Sequence, residues 1–185
     1  MAYYRRQRSG IIQDEGLGLV HVYFGEGVGK TTRAVGLALR AAGEKLRVTF
    51  VQFMKSGKSG ESVMLKKISN ITYFCPGPHP FILSKGPEKI HYHHARSALN
   101  FAYNALESDV ELLICDEILN TLVFNLLKKD ELLKLVSLCK SRVELVMTGR
   151  TVFPELMKVT DYATEFVLRK HPYYRGAKAR RGIEY

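Results

Sequence analysis

The stretch that decides the fold runs Leu17-Gly18-Leu19-Val20-His21-Val22-Tyr23-Phe24, then Gly25-Glu26-Gly27-Val28-Gly29-Lys30-Thr31-Thr32. Leu17 to Phe24 has the length and apolar content of a buried strand. A Gly-rich turn follows, then Thr31 to Ala42, a helix with Gly43 as its stop signal. Strand, glycine loop and helix in that order are the setting of a Walker A loop. Glycines let backbone N–H groups turn inward around phosphate oxygens, and the helix N-terminus adds its positive dipole end. Lys30 adds a charge, and the Thr31 hydroxyl can bind Mg²⁺. The usual pattern, GxxxxGK[ST], asks for glycine at position 24, where Phe24 stands; the first glycine comes one residue late, at Gly25. The competing reading is a Gly-rich turn carrying a chance GKTT among 15 glycines. The strand–loop–helix context favours phosphate binding.

Outward from this loop, strands alternate with helices. Arg47–Met54 reads as a second strand and Lys55–Gly60 as a polar loop. A short helix is expected at Glu61–Ile68 and a strand at Ile71–Phe74. Cys75–Pro87 holds four prolines and two glycines, so no regular element survives there. A loop of that length in a compact domain is usually functional. Ala95, Ala98, Leu99, Ala102, Ala105 and Leu106 then recur at helical spacing. Val110–Cys115 is a strand ended by Asp116 and Glu117. Two helices follow, the second opened by Asp130 as N-cap. Val143–Met147 is the next strand, Pro154 suits the first turn of a short helix, and Ala163–Arg169 is the last strand. The pattern predicts an α/β fold, a P-loop NTPase-like domain with a mainly parallel sheet covered by helices on both faces. Ligands belong at the C-terminal ends of its strands. Residues 1–16 read as a polar arm and 17–185 as one domain that includes the basic tail.

Composition sets limits. At 185 residues and 21.0 kDa the chain fits one domain with a real core. Its 46% hydrophobic and 25% charged residues exclude a wholly disordered chain. No run of eighteen apolar residues exists, and the N-terminus lacks an apolar stretch of signal-peptide length. Three cysteines without CxxC spacing argue against a disulfide framework or zinc knuckle and fit a reducing cytoplasm. The net charge is +10, of which +5 falls in residues 169–185. Such a tail can bind nucleic acid, hold nucleotide phosphates or be solvated.

Asp116 and Glu117 follow an apolar strand, as a Walker B acid does. Either can hold Mg²⁺ directly or through water. The competing reading is a capping acid at a helix start. The residue types alone do not choose between the two acids.

At this point the residues match a family. The chain resembles the P-loop-type ATP:cob(I)alamin (corrinoid) adenosyltransferases from about Gly16 to Tyr185. The resemblance rests on the late-glycine loop Gly25–Thr32, Val51-Gln52-Phe53 with Lys55, Gly60-Glu61, Asp116-Glu117, Thr148-Gly149-Arg150 and Asp161. It closes on Lys170-His171 and the terminal Gly182-Ile183-Glu184-Tyr185. It implies transfer of the 5′-deoxyadenosyl group of ATP to cobalt(I) of a corrinoid, with triphosphate leaving. ATP lies in the reverse of the usual P-loop orientation, which exposes the ribose C5′. On this chain, Lys30 and the amides of Gly25, Glu26, Gly27, Val28, Gly29 and Thr32 would hold the triphosphate, while Thr31 and Glu117, with Asp116 second, would hold Mg²⁺. Cobalt(I) is itself the nucleophile, so the protein supplies orientation and electrostatics.

The family makes cobalt(II) four-coordinate with a Phe and a Trp from the loop before the long helix, which eases its reduction. This chain has no Trp. Phe81 is the expected wedge, with His79 or Ile82 in the other place. Glu26 stands where bacterial relatives often carry Asn and is expected to face solvent. The resemblance further implies a homodimer, an electron-donating reductase as partner, and an arm, Met1–Glu15, that closes over a neighbouring active site.

Arg150 is assigned to the nucleotide, and Arg40 stays open between function and surface. Gln52 and Lys55 lie at the expected ligand edge, where polar strand-end residues are often plain surface. His91, His93 and His94 resemble a metal cluster, but no carboxylate or cysteine completes a set at matching spacing. Tyr173, Tyr174, Lys178, Arg180 and Arg181 have the make-up of a single-strand binder, yet the resemblance covers them, so no nucleic-acid or membrane partner is expected. Two rival functions remain: a P-loop ATPase or kinase-like enzyme, marked by ADP as product, and a nucleic-acid-binding module, whose binding Lys30→Ala would leave intact.

Overall fold

A computed structural model describes residues 16–184. Six strands form one sheet: β1 (Val20–Phe24), β2 (Val48–Gln52), β3 (Ile71–Phe74), β4 (Leu112–Asp116), β5 (Glu144–Thr148) and β6 (Tyr162–Glu165). Every pairing is parallel, in the order β3-β2-β4-β5-β1-β6. The helices are α1 (Lys30–Gly43), α2 (Gly60–Leu65), α3 (Lys89–Ala105), α4 (Asn120–Val123), α5 (Lys129–Cys139) and α6 (Pro154–Val159). The expected α/β architecture is therefore present.

The strands read as continuous apolar runs because both faces are covered. Side chains alternate across the sheet. Val48, Phe50, Leu112, Ile114 and Val146 face a layer with Ala34, Ala38 and Ala41 of α1 and Leu65 of α2. Val51, Leu113, Cys115, Leu145 and Met147 face the other layer, with Ala95 and Leu99 of α3, Leu132 and Leu135 of α5, and Leu156 of α6. The small alanines of α1 let that helix lie close against the sheet, which fixes where its N-terminus comes out.

Several boundaries differ from expectation, each for a local reason. β1 starts at Val20 rather than Leu17, because the Gly18 and Leu19 N–H groups both donate to Glu144 Oε2 at 2.9 Å. Gly43 is the last helical residue of α1, and the chain turns at Lys45, where φ is 64°. Asp130 is not the N-cap of α5: Lys128 is, and its N–H donates to Glu131 Oε2 at 2.9 Å. Asp130 and Glu131 instead occupy the first turn, where acids meet the positive dipole end. β6 stops at Glu165 rather than Arg169, since its partner β1 ends where Phe24 pairs with Glu165. Beyond it, a short 3₁₀ turn spans Pro172–Arg175. Among the described residues no helix is long and apolar enough to cross a membrane. The arm, Met1–Glu15, and Tyr185 lie outside the described residues.

Candidate nucleotide and metal site

The strand order decides the site. β5 lies between β1 and β4, so the loop after β1 and the acids after β4 share one edge of the sheet. Gly25 takes φ 107°, a left-handed backbone that suits glycine. Its N–H donates to Arg150 O at 2.9 Å, and the Gly27 N–H donates to Phe166 O at 2.7 Å. A Cβ on Gly27 would stand 2.7 Å from that Phe166 backbone. These two glycines therefore brace the loop between the segments after β5 and β6. Among the described residues the N–H groups of Glu26, Val28 and Gly29 have no protein acceptor. They lie directly ahead of the α1 N-terminus, an arrangement suited to an anion.

Lys30 is tucked under the loop, with Nζ donating to Gly25 O at 2.7 Å and Gly27 O at 2.8 Å. Burial lowers its pKa, against the nearby charges of Glu117 and Glu26. Thr31 Oγ1 stands 3.0 and 3.2 Å from the two oxygens of Asp116 and donates to that carboxylate. Thr32 and Val28 face solvent.

The two acids are separated by geometry. Asp116 is the last residue of β4 and fully buried. It accepts hydrogen bonds from Thr31, from Thr148 Oγ1 at 2.8 Å and from Gln52 Nε2 at 3.1 Å. Glu117 turns left-handed at φ 65°, and its N–H donates to Thr148 Oγ1 at 2.8 Å. Its carboxylate receives Asn120 Nδ2 and stands 3.8 Å from Lys55 Nζ. Burial, and then the charge of Asp116, raises the Glu117 pKa, while Lys55, Lys30 and Arg150 oppose the rise. Two carboxylates and a threonine hydroxyl are an all-oxygen donor set, which suits a hard divalent cation. A cation there would relieve the repulsion that raises Glu117.

Arg150 is held at its backbone by Asn120 Oδ1, 2.7 Å from the Arg150 nitrogen. Its exposed guanidinium faces Glu26, Nη1 to Oε2 3.8 Å. Glu26 is exposed, as expected, and lies between the charges of Arg150 and Lys30. Beside the pair opens a cleft of about 550 Å³ walled in part by Phe24, Val152 and Phe166. Arg40 is exposed in the last turn of α1, away from these groups. Asp161 lies at the opposite strand ends, where Oδ2 accepts the Val20 N–H at 2.8 Å; its part is to anchor β1. Lys178, Arg180 and Arg181 are all exposed, and Arg180 pairs with Glu184.

The proline-rich loop carries Phe81 93% exposed, a large aromatic held in water. His79 turns the other way. Both of its ring nitrogens are buried without a partner among the described residues, and its ring lies 4.8 Å from His91 and 5.7 Å from His94. Ile82 is partly buried against the core. Neither residue projects into solvent as Phe81 does. His91 and His94 share the buried face of α3, while His93 is exposed. His91 Nδ1 accepts the Glu88 N–H at 2.7 Å, so its Nε2–H donates to Pro80 O at 3.2 Å. Among the described residues no three His, Cys, Asp or Glu side chains converge as a metal site.

Residue types alone did not reveal Asn120, Tyr73 or the burial of Gln52. Asn120 sits beside Thr121 in a largely apolar run, and nothing local marks it. Gln52 carried a signal in principle, because a polar residue closing a strand buried on both faces needs an internal partner.

This chain is similar to known proteins over most of its length. The family model described as ATP:corrinoid adenosyltransferase BtuR/CobO/CobP matches residues 16–185. A corrinoid adenosyltransferase of Pseudomonas aeruginosa is 30% identical over 91% of this chain and 84% of its own length. One from Escherichia coli K12 is 27% identical over 94% of this chain and 88% of its own. Corrinoid adenosyltransferase CobA of Salmonella typhimurium is 26% identical over 91% and 86%. Among solved structures, the cytoplasmic domain of EssC overlays 88% of this chain and 34% of its own at a TM-score of 0.48 and 14% identity.

Proposed function

The chain belongs to the ATP:corrinoid adenosyltransferase family, and from that premise we propose that its own phosphate loop and paired acids carry the reaction. The enzyme is a transferase of that family, and ATP and a corrinoid are the substrates that fit it. In the reaction, cobalt(I) supplies an electron pair to C5′ of ATP, the C5′–O bond breaks, and triphosphate leaves with that bond's electrons.

Lys30 and the amides of Glu26, Val28 and Gly29 bind the triphosphate. On binding, Lys30 exchanges its two loop carbonyls for phosphate oxygens, which raises its pKa back towards the ordinary value. Thr31, Asp116 and Glu117 are the residues that would hold Mg²⁺, which supplies charge neutralisation for the leaving triphosphate. Arg150 leaves Glu26 for the phosphates. The cleft beside Phe24 and Phe166 has room for a nucleoside. Phe81 meets the corrinoid from the proline-rich loop. The observation that carries this reading is the convergence of three unpaired loop amides, Lys30 and the Thr31–Asp116 contact on one sheet edge.

The same reading takes 17–185 as one domain and residues 1–16 as an arm that closes over the site of a partner copy. The enzyme works in the cytoplasm as a homodimer and draws electrons from a separate reductase. The test is an anaerobic assay with ATP, Mg²⁺ and chemically reduced cob(I)alamin. Adenosylated corrinoid and triphosphate, both lost in Lys30→Ala, are expected. ADP with an unchanged corrinoid would overturn the reading in favour of an ordinary P-loop phosphohydrolase.

A further inference from the structure

Gln52 closes β2 and is fully buried. An amide there must find partners inside the protein. Parallel pairing sets Phe50 beside Tyr73, and the two-residue period puts Phe50 and Gln52 on one face. The Tyr73 ring stacks near Phe50, with centroids 6.3 Å apart, and its hydroxyl reaches Gln52 Oε1 at 2.5 Å. The phenol donates to the amide oxygen here, and the acceptor-only carboxylate of Asp116 on the other side fixes the amide's orientation. Nε2 then faces Asp116 and donates to Oδ2 at 3.1 Å. The opposite orientation would set an amide oxygen against a carboxylate. Glu61 Oε1, at 3.5 Å, lies on the same side of Nε2.

The result is a relay across three neighbouring strands, Tyr73 on β3, Gln52 on β2 and Asp116 on β4. It ends on the acid that receives Thr31. Among the described residues every side-chain donor to the Asp116 carboxylate is neutral: Thr31, Thr148 and Gln52. The carboxylate is therefore oriented by three neutral side chains.

We propose that Gln52, oriented by Tyr73, is a positioning residue that holds the Asp116 carboxylate for the divalent cation of the bound nucleotide. This rests on the reading that Thr31, Asp116 and Glu117 hold Mg²⁺. Groups behind a metal's ligands commonly alter affinity about 10–100-fold when removed. A buried amide serving packing alone would be replaceable by a methionine of similar length.

The test is calorimetric binding of ATP at graded MgCl₂ to wild type, Gln52→Met and Tyr73→Phe, with Tm and steady-state kinetics alongside. In wild type, Mg²⁺ should tighten ATP binding. In Gln52→Met that gain should shrink about tenfold, with ATP binding in EDTA unchanged. Tyr73→Phe should shift the gain in the same direction by less, because its amide can still turn towards Asp116. Kinetically, the Mg²⁺ concentration for half-maximal rate should rise in step. An unaltered Mg²⁺ gain with only a lowered Tm would overturn the proposal. Should Gln52→Met fail to fold, Tyr73→Phe, at a half-buried position, carries the same test. No effect of Mg²⁺ on wild-type binding would overturn the metal reading itself, and this proposal with it.

Discussion

The Thr31 hydroxyl stands 3.0 Å from Asp116 Oδ1 although 85 positions separate them in the chain. One residue lies in the first turn of α1 and the other closes β4, so the contact exists only because the sheet sets β1, β5 and β4 side by side. It joins the phosphate loop to the acid strand.

Breaking this contact should impair catalysis more than folding. Asp116→Asn keeps the size of the side chain and removes its charge. We expect kcat/KM to fall about 10²–10³-fold, the range for losing one preorganised electrostatic group. Nucleotide binding without Mg²⁺ should persist. Steady-state kinetics with Mg²⁺ titration checks this, and unchanged kinetics would remove Asp116 from the site.

Glu26 places a negative charge 3.8 Å from Arg150, both exposed at the loop's mouth. Glu26→Gln should free Arg150 and remove repulsion of the triphosphate. Exposed pairs are worth about 0.2–1 kcal/mol, so the KM for ATP should fall by a small factor. Salt screens such charges. The gain should therefore fade in kinetics repeated at high ionic strength.

Gly27→Ala would put a methyl group 2.7 Å from the Phe166 backbone, which cannot swing aside as a side chain can. Overpacking of this kind costs about 1–3 kcal/mol. In a chain of this size each kcal/mol lowers Tm by about 2–4 °C. Differential scanning calorimetry checks the stability, and ATP affinity should fall with it because the brace on the loop is lost. An unshifted Tm would show that the contact with Phe166 gives way freely.

Burial, assisted by the neighbouring His91 and His94 rings, pushes His79 from 6.5 down to about 4. The docked ring is thus neutral, while the released ring takes up a proton near pH 6.5. Docking of the loop is therefore fully stable above about pH 6.5 and weakens as pH falls towards 4. Limited proteolysis between residues 75 and 88 should quicken across that window. In His79→Phe the pH dependence should flatten, and an equally steep profile in that variant would assign it to another group.

Much of the fold was legible because its signals are local. An apolar run, a glycine loop and a helix lie consecutively at residues 17–43, and Ile71–Phe74 came out with the expected bounds. Ends were less legible wherever a distant partner sets them. β6 stops because β1 runs out of pairing residues, and β1 starts where Glu144 releases the Gly18 and Leu19 N–H groups. The loop Cys75–Pro87 was recognisable as irregular, but the inward turn of His79 and the outward Phe81 depend on what α3 presents beneath them.

The candidate site divides in the same way. Lys30, Thr31 and the pair Asp116-Glu117 carry their chemistry in residue type and in their place at strand ends, so sequence alone determined them as candidates, along with the alternation that makes the sheet parallel. Tertiary structure alone decided that Asp116 is the fully buried acid beneath Thr31 while Glu117 turns towards Lys55. It alone made Gln52 an internal partner instead of a surface amide. The reason is physical: periodicity and turn chemistry act over a few residues, whereas which polar atoms meet is set by strand order and register, and those emerge only when both faces of the sheet are buried.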